Sequence, residues 1–150
     1  MAIPSFEEFK DLAGQGNLIP VYEEIHFDWE TPISAYRKID DGKFSFLLES
    51  VEGGEKWGRY SFLGSNPSYI LRSKGDAFEI LKGGQVFRAG KAQDPLNILE
   101  DLLSHYRPVV YDSLPRFSGG AVGYANYELI RSYERLPEIH SLDLDLFDTF

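Results

Sequence analysis

The residues with the clearest chemical potential lie between Phe46 and Gly64, in "FLLESVEGGEKWGRYSFLG". An apolar run stops at a carboxylate and a hydroxyl, Glu49 and Ser50, and the chain crosses Gly53-Gly54. It becomes apolar again after Trp57 and a guanidinium, Arg59. If the two runs are strands of one hairpin, these polar groups meet at its end. Such a mouth suits a small zwitterion. Ser50 and strand-edge backbone groups would hold an α-amino or α-carboxylate group, Arg59 would add positive potential, and adjoining apolar side chains would hold a ring. The same spacing also suits a plain hairpin, in which Gly53-Gly54 only turn the chain, Arg59 pairs with an acid and Trp57 covers core. Spacing leaves both open.

Other catalytic chemistry has less support. His26, His105 and His140 are far apart, with no i, i+4 spacing, whereas a zinc site needs three or four converging ligands. A Gly-Xaa-Ser-Xaa-Gly elbow is absent, and the sequence offers no nucleophilic triad. The glycines of "SGGAVGY", Gly119, Gly120 and Gly123, lack both the Gly-Lys-Ser/Thr ending of a phosphate loop and the dinucleotide fingerprint spacing. They are expected to admit a neighbouring backbone or ring. The alternate aspartates of "LDLDLFD" are expected on a solvated strand face rather than around a metal. No catalytic residue and no metal ligand is therefore assigned.

The elements that would position the hairpin follow from local signals. Ser5 with Glu8 makes a capping box before Phe6, Phe9 and Leu12, and Thr31 with Pro32 opens a helix in "TPISAYRKID". Asp94 and Pro95 open a third, with Leu96, Leu99, Leu102, Leu103 and Tyr106 as its expected apolar stripe. Strands are expected at "LIPVYEEI", then at "KFSFLLES", "RYSFLG", "YILRSK", "FEIL" and "QVFRA", with turns at Gly53-Gly54, Asn66-Pro67, Gly75-Asp76 and Gly83-Gly84. A glycine-rich strand in "FSGGAVGYANYELIRSYERLP" should lead into a short helix that Pro137 ends. "SLDLDLFDTF" should form a last strand. The fold class is α+β, mainly antiparallel β-sheet with two or three packed helices, in a single domain over residues 1–150.

Composition narrows the function. Fifteen Lys+Arg against 24 Asp+Glu give a formal charge of −9, which argues against nucleic acid, because phosphate binding needs a concentrated basic surface. The chain has no cysteine, so disulfides and thiolate sites are excluded. No charged-then-apolar leader and no apolar run near membrane-spanning length occurs, so a cytoplasmic protein without membrane contact is expected. The chain stops in mid-pattern at Phe150, as a piece of a longer protein would.

Across nearly all 150 residues the chain resembles the N-terminal region of anthranilate synthase component I. The resemblance is carried by "LIPVYEEI", "TPISAYRKI", "FLLESVEGGEKWGRYSFLG", the Asn66-Pro67 step and "PRFSGGAVGYANYELIRSYERLP". It implies a part of a lyase that converts chorismate, with ammonia from glutamine, into anthranilate and pyruvate for tryptophan biosynthesis. The resemblance places the catalytic residues and the Mg2+ site in a C-terminal chorismate-binding domain beyond Phe150, so the fragment is expected to be inactive alone. It further implies an allosteric L-tryptophan feedback site with Ser50 as the main polar contact, flanked by Leu48 and Glu49, with Arg59 nearby. The partners it implies are L-tryptophan, a glutamine amidotransferase component II and the chain's own C-terminal domain. The "GGAVGY" block is shared with aminodeoxychorismate synthase component I, which stays an alternative, as does a stand-alone amino-acid-binding or interaction module.

Overall fold

A computed structural model describes residues 2–49, 60–115, 117–137 and 145–150. Three helices and five strands occur among them: α1 (Phe6–Leu12), α2 (Pro32–Ile39), β1 (Ser45–Leu48), β2 (Phe62–Ser65), β3 (Ile70–Lys74), β4 (Ala77–Lys82), β5 (Gln85–Lys91) and α3 (Pro95–Ser104). A 3-10 helix follows at Tyr127–Ser132. The class is α+β and the pairing of all five strands is antiparallel.

Each helix starts where its side chains offer acceptors to orphan backbone N–H groups. Glu8 N–H donates to Ser5 Oγ, and Glu8 Oε2 accepts from Ser5 N–H at 2.8 Å. Ser34 N–H donates to Thr31 Oγ1 at 3.1 Å while Ser34 Oγ accepts from Thr31 N–H at 2.9 Å, a second reciprocal box ahead of Pro32. Asp94 Oδ1 accepts from Leu96 N–H at 2.9 Å.

The strands form two sheets, β1-β2 and β3-β4-β5. In the larger one, Gly83 and Gly84 both lie in the left-handed region, at φ 57° and 79°, which fits the two-residue turn between Lys82 and Gln85. Its inner face carries Leu71, Phe78 and Ile80, with Ile98 and Leu99 of α3 packed against them. This differs from the expected stripe. Leu96 and Leu103 remain exposed, and the half-buried row of α3 is Ile98, Leu99 and Leu102 with Tyr106 beyond, since Ile98 and Leu99 are the residues that meet the core of the larger sheet.

Three expected strands are corrected. Residues 18–25 form no strand; only Leu18 and Tyr22 make isolated bridges, to Pro108 and Ile3, since Pro20 has no N–H to continue a ladder. The glycine-rich stretch 117–124 is irregular, and only Ala125 bridges, to Thr149. The helix after it is a 3-10 turn ending at Ser132, short of Pro137. In the last segment, residues 141–144 lie outside the described residues. Asp145 sits at φ 56°, a left-handed conformation that breaks a strand.

Residues 147–150 nevertheless tie the molecule together. Ser73 N–H donates to Thr149 O at 2.9 Å and Asp148 N–H to Ser73 O at 2.8 Å, on the β3 side. On the other side Tyr124 and Phe150 exchange N–H···O bonds of 2.8 and 3.0 Å, and Asn126 N–H donates to Asp148 O at 2.7 Å. Rings continue the tie to the small sheet, with Phe44 and Phe150 centroids 5.8 Å apart.

Candidate ligand site at the end of the first hairpin

The start of β1 is fixed by polar groups. Ser45 Oγ donates to Asp40 Oδ1 at 2.8 Å and lies 2.6 Å from the Tyr36 hydroxyl of α2. The Ser45 hydroxyl, and after it the Gly42 N–H, hold the Asp40 carboxyl below its ordinary range. From this anchored end, β1 runs in register with β2, Ser45 opposite Ser65 and Leu48 opposite Phe62. The Phe46 ring lies over Gly64 on the facing strand, in the space a side chain there would take.

At the far end the strand gives out at Leu48, and Glu49 follows; both are exposed. The structure therefore places Leu48 and Glu49 together at a strand mouth. Ser50 and Arg59 lie outside the described residues, as does Trp57. Opposite Leu48, the Phe62 ring meets Phe117 edge-on, with centroids 5.2 Å apart and planes at 88°, and lies 6.1 Å from the ring of Tyr60. Tyr60 and Phe117 were not singled out by sequence. Phe117 is 55 positions from its partner, and no local signal announces the contact.

Rings arranged in this way can meet a further aromatic ring by edge and face contacts. The strand mouth offers no nucleophile–base pair among the described residues. His105 sits at the C-terminal cap of α3, with Nδ1 2.6 Å from Asp101 O, and His26 is exposed. His140 lies outside the described residues. Among the described residues no three acidic or imidazole groups converge as metal ligands.

The glycine block has a packing role in part. A β-carbon on Gly123 would run into the carbonyl oxygen of Phe150, whereas one on Gly119 would meet nothing. Two of the open cavities among the described residues lie elsewhere. One, of about 320 Å3, is lined by Arg72, Glu79 and Phe147; Arg72 Nε and Nη2 both donate to Glu79 Oε2, at 2.9 and 2.7 Å, and its guanidinium lies 5.1 Å from the Phe147 ring. The other, of about 300 Å3, lies between α1 and Val109–Tyr111.

No protein-family model matches the chain. Curated relatives do. Anthranilate synthase component 1 of Synechocystis is 48% identical over 142 residues, covering 91% of this chain and 27% of the relative. That of Acetivibrio thermocellus is 40% identical over 146 residues, covering 97% and 29%, and that of Aquifex aeolicus 40% identical over 148, covering 95% and 30%. Nearly the whole chain is thus similar to a part of anthranilate synthase component 1. It spans under a third of the length of these relatives, so most of an anthranilate synthase component 1 polypeptide has no counterpart in these residues. No described helix is long and apolar enough to cross a membrane.

Proposed function

We propose that the chain is the N-terminal, non-catalytic part of an anthranilate synthase component I, and that it contributes half of an L-tryptophan feedback site through Leu48, Glu49, Ser50 and Arg59. The observation that carries the reading is the similarity of 40% to 48% over at least nine-tenths of the chain to proteins of that name. The position of Leu48 and Glu49 at an exposed strand mouth beside Phe62 and Phe117 supports it, because an indole needs an aromatic wall and an α-ammonium needs an acceptor. The chorismate chemistry, its Mg2+ and the glutamine amidotransferase contact belong to the rest of the assembly, in a cytoplasmic enzyme.

Feedback on this reading is a population shift. Tryptophan binding more tightly to an inactive arrangement of the two domains draws the enzyme toward it, and inhibition is limited by that affinity difference. The test is an amide NMR titration of the chain with L-tryptophan, using L-phenylalanine and Ser50→Phe as controls. Tryptophan-specific shifts at Leu48, Glu49 and Phe62 that vanish in Ser50→Phe support the assignment. In the full-length enzyme Ser50→Phe should abolish inhibition and spare turnover; retained inhibition would sink it.

A further inference from the structure

Residues 25–30 alternate apolar and polar side chains, Ile25, Phe27 and Trp29 against His26, Asp28 and Glu30. This is the pattern of a strand with one buried face. Yet the segment belongs to no helix or strand, and its last backbone bridge is at Tyr22. All three apolar side chains are exposed, Ile25 at 63%, Phe27 at 58% and Trp29 at 93%. A single exposed apolar residue is ordinary, but three at alternate positions of one short segment, ending in a nearly bare tryptophan, are the kind of exposure that a docking partner covers.

The row is held in place. Ser34 Oγ donates to Glu30 Oε2 at 2.6 Å, Lys38 pairs with Glu30, and Lys38 Nζ lies 5.8 Å from the centre of the Phe27 ring. These contacts fasten the end of the row to α2, the helix that packs on β1 and β2.

We infer that this row is the face on which the remainder of the same polypeptide docks in the full-length protein, through a surface apolar at its centre and basic at its rim. The inference rests on the proposed reading of the chain as one part of a longer anthranilate synthase component I. Two observations favour this occupant. The chain accounts for only 27% to 30% of the length of its relatives, so on that reading a large tethered partner would be present at high effective concentration. The row is fringed by exposed Glu24 and Asp28 on a chain of net charge −9, so a second copy would oppose like charges, whereas a basic rim would complement them.

The test compares the 150-residue chain with the full-length protein that contains it, by hydrogen exchange over residues 21–30 and by thermal unfolding of Trp29→Glu. Exchange in the full-length protein should be slower by at least about tenfold. Trp29→Glu should lower the full-length midpoint by more than about 3 °C and leave that of the chain alone unchanged. Equal exchange in the two proteins, with Trp29→Glu neutral in both, overturns the inference. So does protection that grows with the concentration of the isolated chain, which would indicate a second copy, or protection that appears only on adding an amidotransferase component. If the isolated chain does not fold, free exchange at 21–30 and a neutral Trp29→Glu in the full-length protein overturn it alone. Tryptophan titration does not enter this test, so the docking face and the feedback site can fail independently.

Discussion

Gly123 and Phe150 touch backbone to backbone: the space for a β-carbon on Gly123 is taken by the Phe150 carbonyl oxygen, which accepts the Tyr124 N–H at 2.8 Å. A methyl there cannot be relieved by turning a side chain. The Tyr124–Phe150 pair must open, and with it the tie between residues 124–126 and β3. Gly123→Ala is expected to cost about 2 kcal/mol, read as a lower urea midpoint. Gly119→Ala, with open space at its site, is the control and should stay within about 0.5 kcal/mol of the parent.

Gly64 presents a softer version of the same contact. An added β-carbon would lie 2.5 Å from Cε1 of Phe46, but the obstacle is a ring that can swing aside. Gly64→Ala should therefore cost about 1 kcal/mol, and Gly64→Ala combined with Phe46→Leu should cost less than the sum of the two. Equilibrium unfolding of the four proteins measures that difference.

Helix starts were legible in the sequence because their causes are local. Ser5 reaches Glu8, Thr31 reaches Ser34 and Asp94 reaches Leu96, each within three residues. Strands β3, β4 and β5 were legible for the same reason, since two-residue turns at Gly75-Asp76 and Gly83-Gly84 bring neighbours together. What failed depends on distant partners. Residues 18–25 read as a strand by composition, but only Tyr22 and Leu18 find a bridge. The tie formed by residues 147–150 draws on Ser73 and Tyr124, and nothing in the pattern of "LFDTF" names either. In the candidate site, Leu48 and Glu49 were readable as a strand end, whereas Phe117 arrives from another part of the chain.

Ile98 and Leu96 separate the packed face of α3 from its open one. Ile98 packs on Leu71, Phe78 and Ile80, while Leu96 is 37% exposed. Ile98→Ala is expected to destabilise by about 2 to 3 kcal/mol and Leu96→Ala by less than about 1. Urea unfolding of both variants checks the order, and a larger loss at Leu96 would mean that α3 is rotated from the orientation described.

Acid should weaken the fold through its caps and pairs. The carboxyl of Glu8 is held below its ordinary value by the Ser5 N–H and then the Ser5 hydroxyl, and that of Glu30 by Lys38 and then Ser34. Lys91 does the same for Asp76. A carboxyl depressed in the folded state contributes stability above its unfolded pKa and loses it as pH falls through the folded one. The losses therefore fall below the ordinary values of 4.5 for Glu and 3.8 for Asp. In Ser5→Ala the Glu8 carboxyl should titrate closer to 4.5. Carbon-detected NMR titration of that side chain measures it, and an unchanged titration would assign the shift to the Ser5 N–H alone, which the substitution keeps.

Phe117 and Phe62 test whether the aromatic ledge is structural, part of the ligand site, or both. An edge-on pair of this geometry is worth about 1 kcal/mol beyond its buried area, so a double-mutant cycle of Phe62→Leu and Phe117→Leu should show coupling of that size. On the proposed function, the Phe117→Leu chain stays folded but gives smaller tryptophan-induced shifts at Leu48 and Phe62, because the indole loses one wall. Coupling in the stability cycle with unchanged tryptophan shifts would make the ledge a packing feature only. Weakened shifts without stability coupling would mean that Phe117 meets the ligand directly rather than through Phe62.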